Sequence, residues 1–424
     1  MKIAFFVDQF PKLSETFVLN QITGLINQGH TVDIYPASPL REALHHEDIQ
    51  RYKLLGRCHY PPGVPAKWHR RFIKGAAFWI RGLCHRRGGL TDLKRAASKF
   101  RSAESLFGHL IKTTPLRDDR PTYDIIQCHF GHNGLRAALY RDAQLLAGPV
   151  VTAFHGNDIA NPSNGVNYQP LFSAGDFFLP ISDHWRQRLL DLGCPAHKVV
   201  VHRMGIDCER FVFRLPKWNT KSPLKVLSIA RLMEKKGIEF GIRAVATLIA
   251  QGHSIQYEII GDGPLKENIV DLIRTLNLEH AISVVGSRSQ DQVVAALCAA
   301  DVLMAPSITA SDGDQEGIPV VLMEAMALGV LVVSSVHSGI PELVEDKVSG
   351  LLAQERDVDG LAAALRYLIT NNDAWIPMAL AARQFIDERH DIKRLNKHLV
   401  MLYKNLSDKT DEASSLSIAR KTHV

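Results

Sequence analysis

The sequence predicts an α/β protein made of two Rossmann-like β/α/β domains facing across a cleft. Three observations carry this expectation. Short β-rich runs alternate with helical patterns through both halves of the chain, which implies parallel sheets with right-handed crossovers. A polar stretch, KWNTKSP (217–223), separates the two runs and reads as a linker. The length, 424 residues, exceeds what one ordinary core organises.

In the first half, strands are expected at Lys2–Asp8, His30–Pro36, Asp124–His129, Val150–His155, Phe177–Ile181 and Lys198–His202. A helix is expected over 14–28, with Ser14 as its N-cap, Glu15 in its first turn and Gly29 closing it. Residues 40–120 break the rhythm with a long basic, mainly helical insertion. In the second half, strands are expected at Lys225–Ala230, Gln256–Ile260, Ile282–Val285, Asp301–Ala305, Val330–Ser334 and Gly350–Ala353. Helices are expected between them at 237–251, 264–277, 289–300, 319–328 and 357–371. An amphipathic segment follows at about 391–405, and the polar tail from Ser407 reads as disordered.

Composition excludes several classes. The run AFFV near the N-terminus is too short for a signal peptide and is ended by Asp8. No run of about 20 apolar residues exists, so no spanning helix is expected. Six cysteines are scattered without a CxxC pair, which reads as reduced thiols in a cytosolic protein. Net charge is +6, and it is uneven. Residues 67–101 carry eleven Lys/Arg against one acid, Asp92, with Trp68, Phe72, Phe78 and Trp79 interleaved. Such a segment fits an anionic membrane surface, a nucleic acid, or a solvated face whose apolar side packs on the domain.

The residues that could carry chemistry sit where strands end, the side on which ligands of such sheets bind. In DQEGIPVVLMEAMALG (314–329), Pro319 suits a first helical position. Glu316 then falls in the loop and Glu324 in the helix, so the two are not a spaced acid/base pair. The loop leads into a helix N-terminus, an anion site, and Gly317 permits close approach to the backbone. Glu324 is the only charge in VVLMEAMAL. It either meets paired hydroxyls, as on a ribose, or is a surface glutamate beside a core face.

SIARLMEKKG (228–237) places Arg231 and Lys236 after a strand, where cations suit a diphosphate or are simply solvated. IIGDGPLKENI (259–269) contains a turn, Gly261-Asp-Gly263, that departs from GxGxxG. Asp312 and Asp314 could chelate a metal or be solvated. In the first half, TAFHGND (152–158) sets His155 at a strand end, as an acid/base group or a satisfied structural histidine. CHFGHNG (128–134) and FPKLSETF (10–17) end two further strands, and Glu15 could orient a hydroxyl or cap its helix.

The order SETF, HGND, RMGID (203–207), AR-x4-KG, GDGP and E-x7-E with an internal GIP resembles the retaining glycosyltransferases of family 4, which have the GT-B fold. The opening FPKLSETF is similar to that of enzymes of bacterial exopolysaccharide assembly of the colanic acid and amylovoran type. The resemblance spans nearly the whole chain. It implies an acceptor-binding domain over 1–212, a nucleotide-sugar-binding domain over 213–390, and a crossover helix with a polar tail over 391–424 that returns to the first domain.

By motif, the resemblance implies that Arg231 and Lys236 hold the donor diphosphate and that Glu324 accepts from the ribose. Glu316, Gly317 and Ile318 would meet the donor sugar, with Gly261 and Gly263 in the donor site. Gly286, Ser287 and Arg288 would frame the base, and His155 would touch the sugar. Glu15, His129, Asn157 and Asp158 would face the acceptor. His155, Glu316, Arg231 and Lys236 form the implied catalytic set.

The implied donor is a nucleotide sugar, a UDP-sugar by family habit. The implied acceptor is a polyprenyl-diphosphate-linked oligosaccharide at the cytoplasmic face of the inner membrane, with 67–101 on the anionic surface. No cofactor, metal or nucleic acid is implied. Two departures stand out: DQFPKLSETF replaces a glycine pair, and RMGID stands for NGVD. The rival readings are a nucleotide-sugar epimerase or phosphorylase-like enzyme on the same architecture, and a non-catalytic nucleotide-sugar-binding protein.

Overall fold

A computed structural model describes residues 1–12, 15–39, 47–62, 90–99, 112–113, 116, 120–160, 166–217 and 221–421. Ser14, residues 218–220 of the expected linker, and most of the basic segment 67–101 lie outside the described residues. The chain divides into two compact units. The first holds Met1–Ile181, Arg186–His202 and Asn396–Val424, and the second holds Ser182–Trp185 and Arg203–Leu395.

The first unit is built on a sheet of five parallel strands: β1 (Lys2–Phe10), β2 (Thr31–Pro39), β3 (Ile125–His129), β4 (Val150–Phe154) and β5 (Phe177–Pro180). Their spatial order is β2-β1-β3-β4-β5. Strand order therefore reverses between β1 and β3, and that reversal opens a crevice beyond their carboxyl ends. Alternate residues serve opposite faces. Ile3, Phe5 and Val7 join one core with Val18, Ile22 and Leu25 of the helix Thr16–Asn27. On β1's other face, Phe6 stacks on Tyr35 of β2.

The second unit has six parallel strands: β6 (Leu224–Ile229), β7 (Ile255–Ile260), β8 (Ile282–Gly286), β9 (Val302–Ala305), β10 (Leu331–Ser335) and β11 (Leu351–Ala353). The order is β11-β10-β9-β6-β7-β8, so the reversal falls between β9 and β6. Period-two alternation splits the apolar side chains between two cores. Val226, Met304 and Val333 enter one, and Leu227, Leu303 and Val332 enter the other.

Most expected elements appear within a residue or two of their expected ends. Lys198–His202 does not form a continuous strand: Val199 makes one isolated bridge to Phe178, and the Val200 and His202 N–H groups donate to Phe178 O and Pro180 O at 3.0 and 2.9 Å. A helix over Trp375–Arg389 was not among the expected elements. The last segment is helical over Ile392–Lys421, where a disordered tail was expected from Ser407. From Asn396 onward this helix belongs to the first unit. Leu399, Val400, Tyr403 and Leu406 enter that unit's core, and the Tyr403 hydroxyl donates to Gln127 Oε1 at 2.7 Å. Gly24 makes room for this helix: a Cβ there would sit 1.8 Å from Asn396 Nδ2, and that side chain would have to shift.

Candidate active site

In the second unit, four neighbouring strands, β11, β10, β9 and β6, end beside one another on the switch-point side. The loop after β6 carries Arg231, Lys235 and Lys236; the loop after β9 carries Thr309 to Ile318; β10 leads to His337 and β11 to Glu355. The β6 and β9 loops are joined by the Ile308 N–H donating to Lys235 O at 2.9 Å. Glu234 accepts from the Ser311 N–H at 2.8 Å and from its hydroxyl at 2.7 Å.

Two glycine turns fix where the cations stand. The Gly261-Asp-Gly263 turn, expected in the donor site, packs on the backbone of residues 230–232. A Cβ on Gly261 would lie 1.8 Å from Ala230 O, and one on Gly263 would lie 2.5 Å from Leu232 O. Both glycines have positive φ, +152° and +156°. The turn therefore shapes the loop that presents Arg231, which is exposed. Gly237, at φ +60°, similarly lets the residues after Lys236 approach Pro306 O.

Lys236 Nζ lies 2.7 Å from Glu316 Oε2. Lys235, which sequence reasoning passed over, is buried and lies 3.5 Å from Glu316 and 3.0 Å from Asp314. Burial of Glu316 works to raise its pKa, but the charges of Lys236 and Lys235 outweigh it, so the carboxyl is held below its ordinary value. Asp314 is thus engaged by a lysine, and Asp312 accepts from the Asp314 N–H at 2.9 Å. Among the described residues no cluster of three His, Cys, Asp or Glu side chains could hold a metal ion.

Pro319 caps the helix Val320–Leu328 from outside, with its ψ extended, so Glu316 and Glu324 do lie on different elements. Glu324 is not alone. Gln290 Nε2 donates to it at 3.3 Å, although burial still raises its pKa. Gly286 ends β8 at φ +75°, and Ser287 and Arg288 after it are exposed.

His337 and Glu355 were also missed. His337 is buried; its Nε2 accepts from the Glu316 N–H at 3.0 Å, and its Nδ1 lies 2.5 Å from Glu355 Oε1. Glu355 also accepts from the Thr309 N–H at 2.7 Å. The motif HSGIPE (337–342) offered the only signal, and it has no spacing that points to Glu316.

The first unit carries its own polar cluster at the ends of β1, β3 and β4. His129 Nε2 donates to Gln21 Oε1 at 2.9 Å, and its Nδ1 lies 3.0 Å from His155 Nε2. Since Gln21 Oε1 only accepts, His129 Nδ1 is an acceptor and His155 Nε2 is the donor. His155 Nδ1 is then a buried lone pair with no partner among the described residues. Burial, helped by His202, lowers the His155 pKa to about 3, so the ring is neutral.

Three of the four residues expected at the acceptor have protein partners. His129 is bonded as above. Asp158 accepts from the N–H groups of Gly131, His155 and Gly156 at 2.8, 3.1 and 3.1 Å. Glu15 is buried against Lys12 Nζ at 2.5 Å. Asn157 is exposed. Beside them, Asp8 is bonded to His132 and accepts from Asn133 Nδ2 at 2.8 Å.

Residues 214–385 match the family model of glycosyl transferases group 1. The chain is 38% identical over 415 residues to the amylovoran biosynthesis glycosyltransferase AmsK of Erwinia amylovora, covering 96% of this chain and 98% of that one. It is also 38% identical over 419 residues to WcaL of Escherichia coli K12, a proposed colanic acid biosynthesis glycosyltransferase, covering 96% and 100%. Among solved structures, HepE of Anabaena, in complex with UDP and glucose, aligns with TM-score 0.69 and 18% identity over 96% of this chain and 100% of its own.

Proposed function

The chain belongs to the glycosyl transferases group 1 family and is a glycosyltransferase; within that family, we propose that it moves a hexose from a UDP-sugar to a polyprenyl-diphosphate-linked oligosaccharide in exopolysaccharide biosynthesis, with retention at the anomeric carbon. One observation carries the reading. At the switch point of the second unit, Arg231, the Lys236–Glu316 pair and Glu324 stand on three neighbouring segments, inside the region that matches the family. The 38% identity to AmsK supports the exopolysaccharide assignment.

The chemistry follows from charge. Departure of the nucleoside diphosphate builds negative charge on its phosphates. Arg231 offers a planar fork of donors. Lys236 commits one of its three N–H donors to Glu316 and keeps two for a phosphate oxygen. The helix that starts at Val320 adds the positive end of its dipole. Such preorganised donors stabilise the transition state more than the ground state, and with them in place transfer requires no metal. Glu316, held ionised by the two lysines, faces the sugar, and Glu324 accepts from the ribose. Within the first unit, His155 Nδ1, an acceptor unpartnered among the described residues, suits a sugar hydroxyl.

No helix among the described residues is long and apolar enough to cross a membrane. Contact with a lipid-linked acceptor is assigned to the basic, aromatic-bearing segment 67–101, whose composition fits an anionic membrane surface. The central test is a screen of nucleotide sugars for protection against thermal unfolding, followed by transfer to a lipid-linked acceptor in EDTA. A UDP-sugar is expected to raise the midpoint and be consumed. Protection by no nucleotide sugar would overturn the reading.

A further inference from the structure

Residues 316, 317 and 318 are each gripped by one residue of the segment 337–339. The Glu316 N–H donates to His337 Nε2 at 3.0 Å. Gly317 O accepts from the Ser338 hydroxyl at 3.3 Å. The Ile318 side chain lies against Gly339, where a Cβ would approach it to 2.9 Å. Ser338 adopts φ +49° to make this fit, an unusual conformation for a non-glycine residue. The two segments follow β9 and β10, which are neighbours in the sheet.

His337 is the polar centre of this clamp, and its partners dictate its state. A backbone N–H can only donate, so Nε2 carries no proton when it accepts from Glu316. The ring proton is then on Nδ1 and is given to Glu355 at 2.5 Å. Glu355 is itself fixed by the Thr309 N–H at 2.7 Å and the Thr309 hydroxyl at 3.2 Å, with Arg356 Nη1 3.5 Å away. A continuous chain thus runs from Thr309 through Glu355 and His337 to the backbone of Glu316, whose carboxylate is set by Lys236. Mere filling of this buried site would need only an apolar side chain, with no tautomer to fix. A buried N–H left without its acceptor is costly, so loss of the ring nitrogen would turn the Glu316 peptide.

We propose that His337 is a positioning residue for sugar transfer: neutral, with its proton shared with Glu355, it holds the Glu316–Ile318 backbone so that the Glu316 carboxylate and its lysine partner meet the donor sugar. The inference rests on the reading of Glu316 as the group at that sugar. It concerns the sugar end of the donor alone, so the nucleotide end should be indifferent to it.

The test uses the full chain with UDP-glucose, UDP-galactose, GDP-mannose and ADP-glucose, and with UDP, GDP and ADP. The pair giving the largest thermal protection is carried forward. In His337→Asn the side chain still donates to Glu355 but no longer reaches the Glu316 N–H. Its kcat should fall at least tenfold while affinity for the free diphosphate changes less than threefold. His337→Gln places an oxygen where Nε2 stood and should recover most of that loss.

Full turnover in His337→Asn overturns the proposal, as does an equal loss in both variants. If His337→Asn does not fold, Glu355→Gln replaces it, with the same expected split between turnover and diphosphate affinity; unchanged kcat there overturns the proposal too. Glu316→Ala separates the two levels. If it retains turnover, the placing of Glu316 at the sugar fails and this inference with it. If it is inactive while His337→Asn is fully active, this inference alone fails.

Discussion

The Lys236 ammonium lies 2.7 Å from the Glu316 carboxylate, and Lys235 stands 3.5 Å from the same group. Lys236→Ala should lower kcat at saturating donor at least tenfold, about 1.4 kcal/mol of lost transition-state stabilisation. It should also cost about 2 kcal/mol of stability, because Glu316 keeps its burial and loses its nearer counter-charge. Adding Glu316→Gln to Lys236→Ala should restore the unfolding midpoint but not turnover. Near-wild-type turnover in the single variant would count against the assignment.

Glu324 is a carboxylate kept at a cost. Burial raises its pKa above the ordinary value despite the Gln290 contact. A folded-state pKa above the unfolded one penalises folding once pH exceeds the unfolded value, so at neutral pH the charge is destabilising. Glu324→Gln should therefore raise the thermal midpoint slightly, on the order of 1 °C, and weaken donor binding. Calorimetric titration with UDP beside a thermal melt checks both directions at once; a variant that loses stability while keeping its affinity contradicts the role.

The turn glycine Gly261 faces a different hazard. Its absent Cβ would overlap Ala230 O, at 1.8 Å. Gly261→Ala should cost about 3 kcal/mol and displace the loop that carries Arg231. Chemical denaturation and diphosphate binding should both be affected. A neutral outcome in both would show that the loop yields.

Acid should weaken the first unit. His129 and His202 are buried and His155 is half-buried with its Nδ1 enclosed, and desolvation is the main cause of their lowered pKa values: well below the ordinary range for His129, about 3 for His155 and about 4 for His202. In the unfolded chain they protonate near 6.5, so below that pH the unfolded state binds more protons. Stability falls as pH drops from 6.5, at up to ~1.4 kcal/mol per pH unit per histidine. Asp158, raised by burial to about 6, works the other way between pH 6 and 4, as does Glu15, also raised by burial, but these are two groups against three. The urea midpoint should be clearly lower at pH 5.5 than at 7.5; an unchanged midpoint contradicts the burial argument.

Membrane contact can be read by flotation with phosphatidylglycerol and phosphatidylcholine vesicles. The protein should float with the anionic vesicles and lose this when Arg70, Arg71, Arg81, Arg86 and Arg87 are replaced by Gln. Binding indifferent to lipid charge would remove the assignment.

The parallel sheets were legible in the sequence because buried strands leave β-rich runs between helical periods, as in LKVLSI and IQYEII. Where cues were weak, the reading slipped. The helix Trp375–Arg389 exposes Ile376 and Leu380, which blurs its apolar face. The tail after Ser407 looked disordered by polarity, yet 392–421 contains no Gly or Pro to stop a helix. The site was legible as separate segments: Arg231, Glu316 and Glu324 each announced themselves by position after a strand or in a helix. Their partners did not. His337 meets Glu316 only because β10 lies beside β9, and Lys235 was hidden by its neighbour Lys236.

The helix that begins at Ile392 leaves Leu399, Val400 and Tyr403 in a core begun by Ile3 and Phe5. The first unit is thus completed by residues synthesised after the whole of the second. Until they arrive, an emerging chain shows an unfinished apolar face, and the order of synthesis is not the order of closure. Nor are the two units interchangeable cassettes. A recombination that swaps the second unit for a relative's must carry the returning helix with the first, so exchange of donor-binding units calls for two crossovers in the gene rather than one.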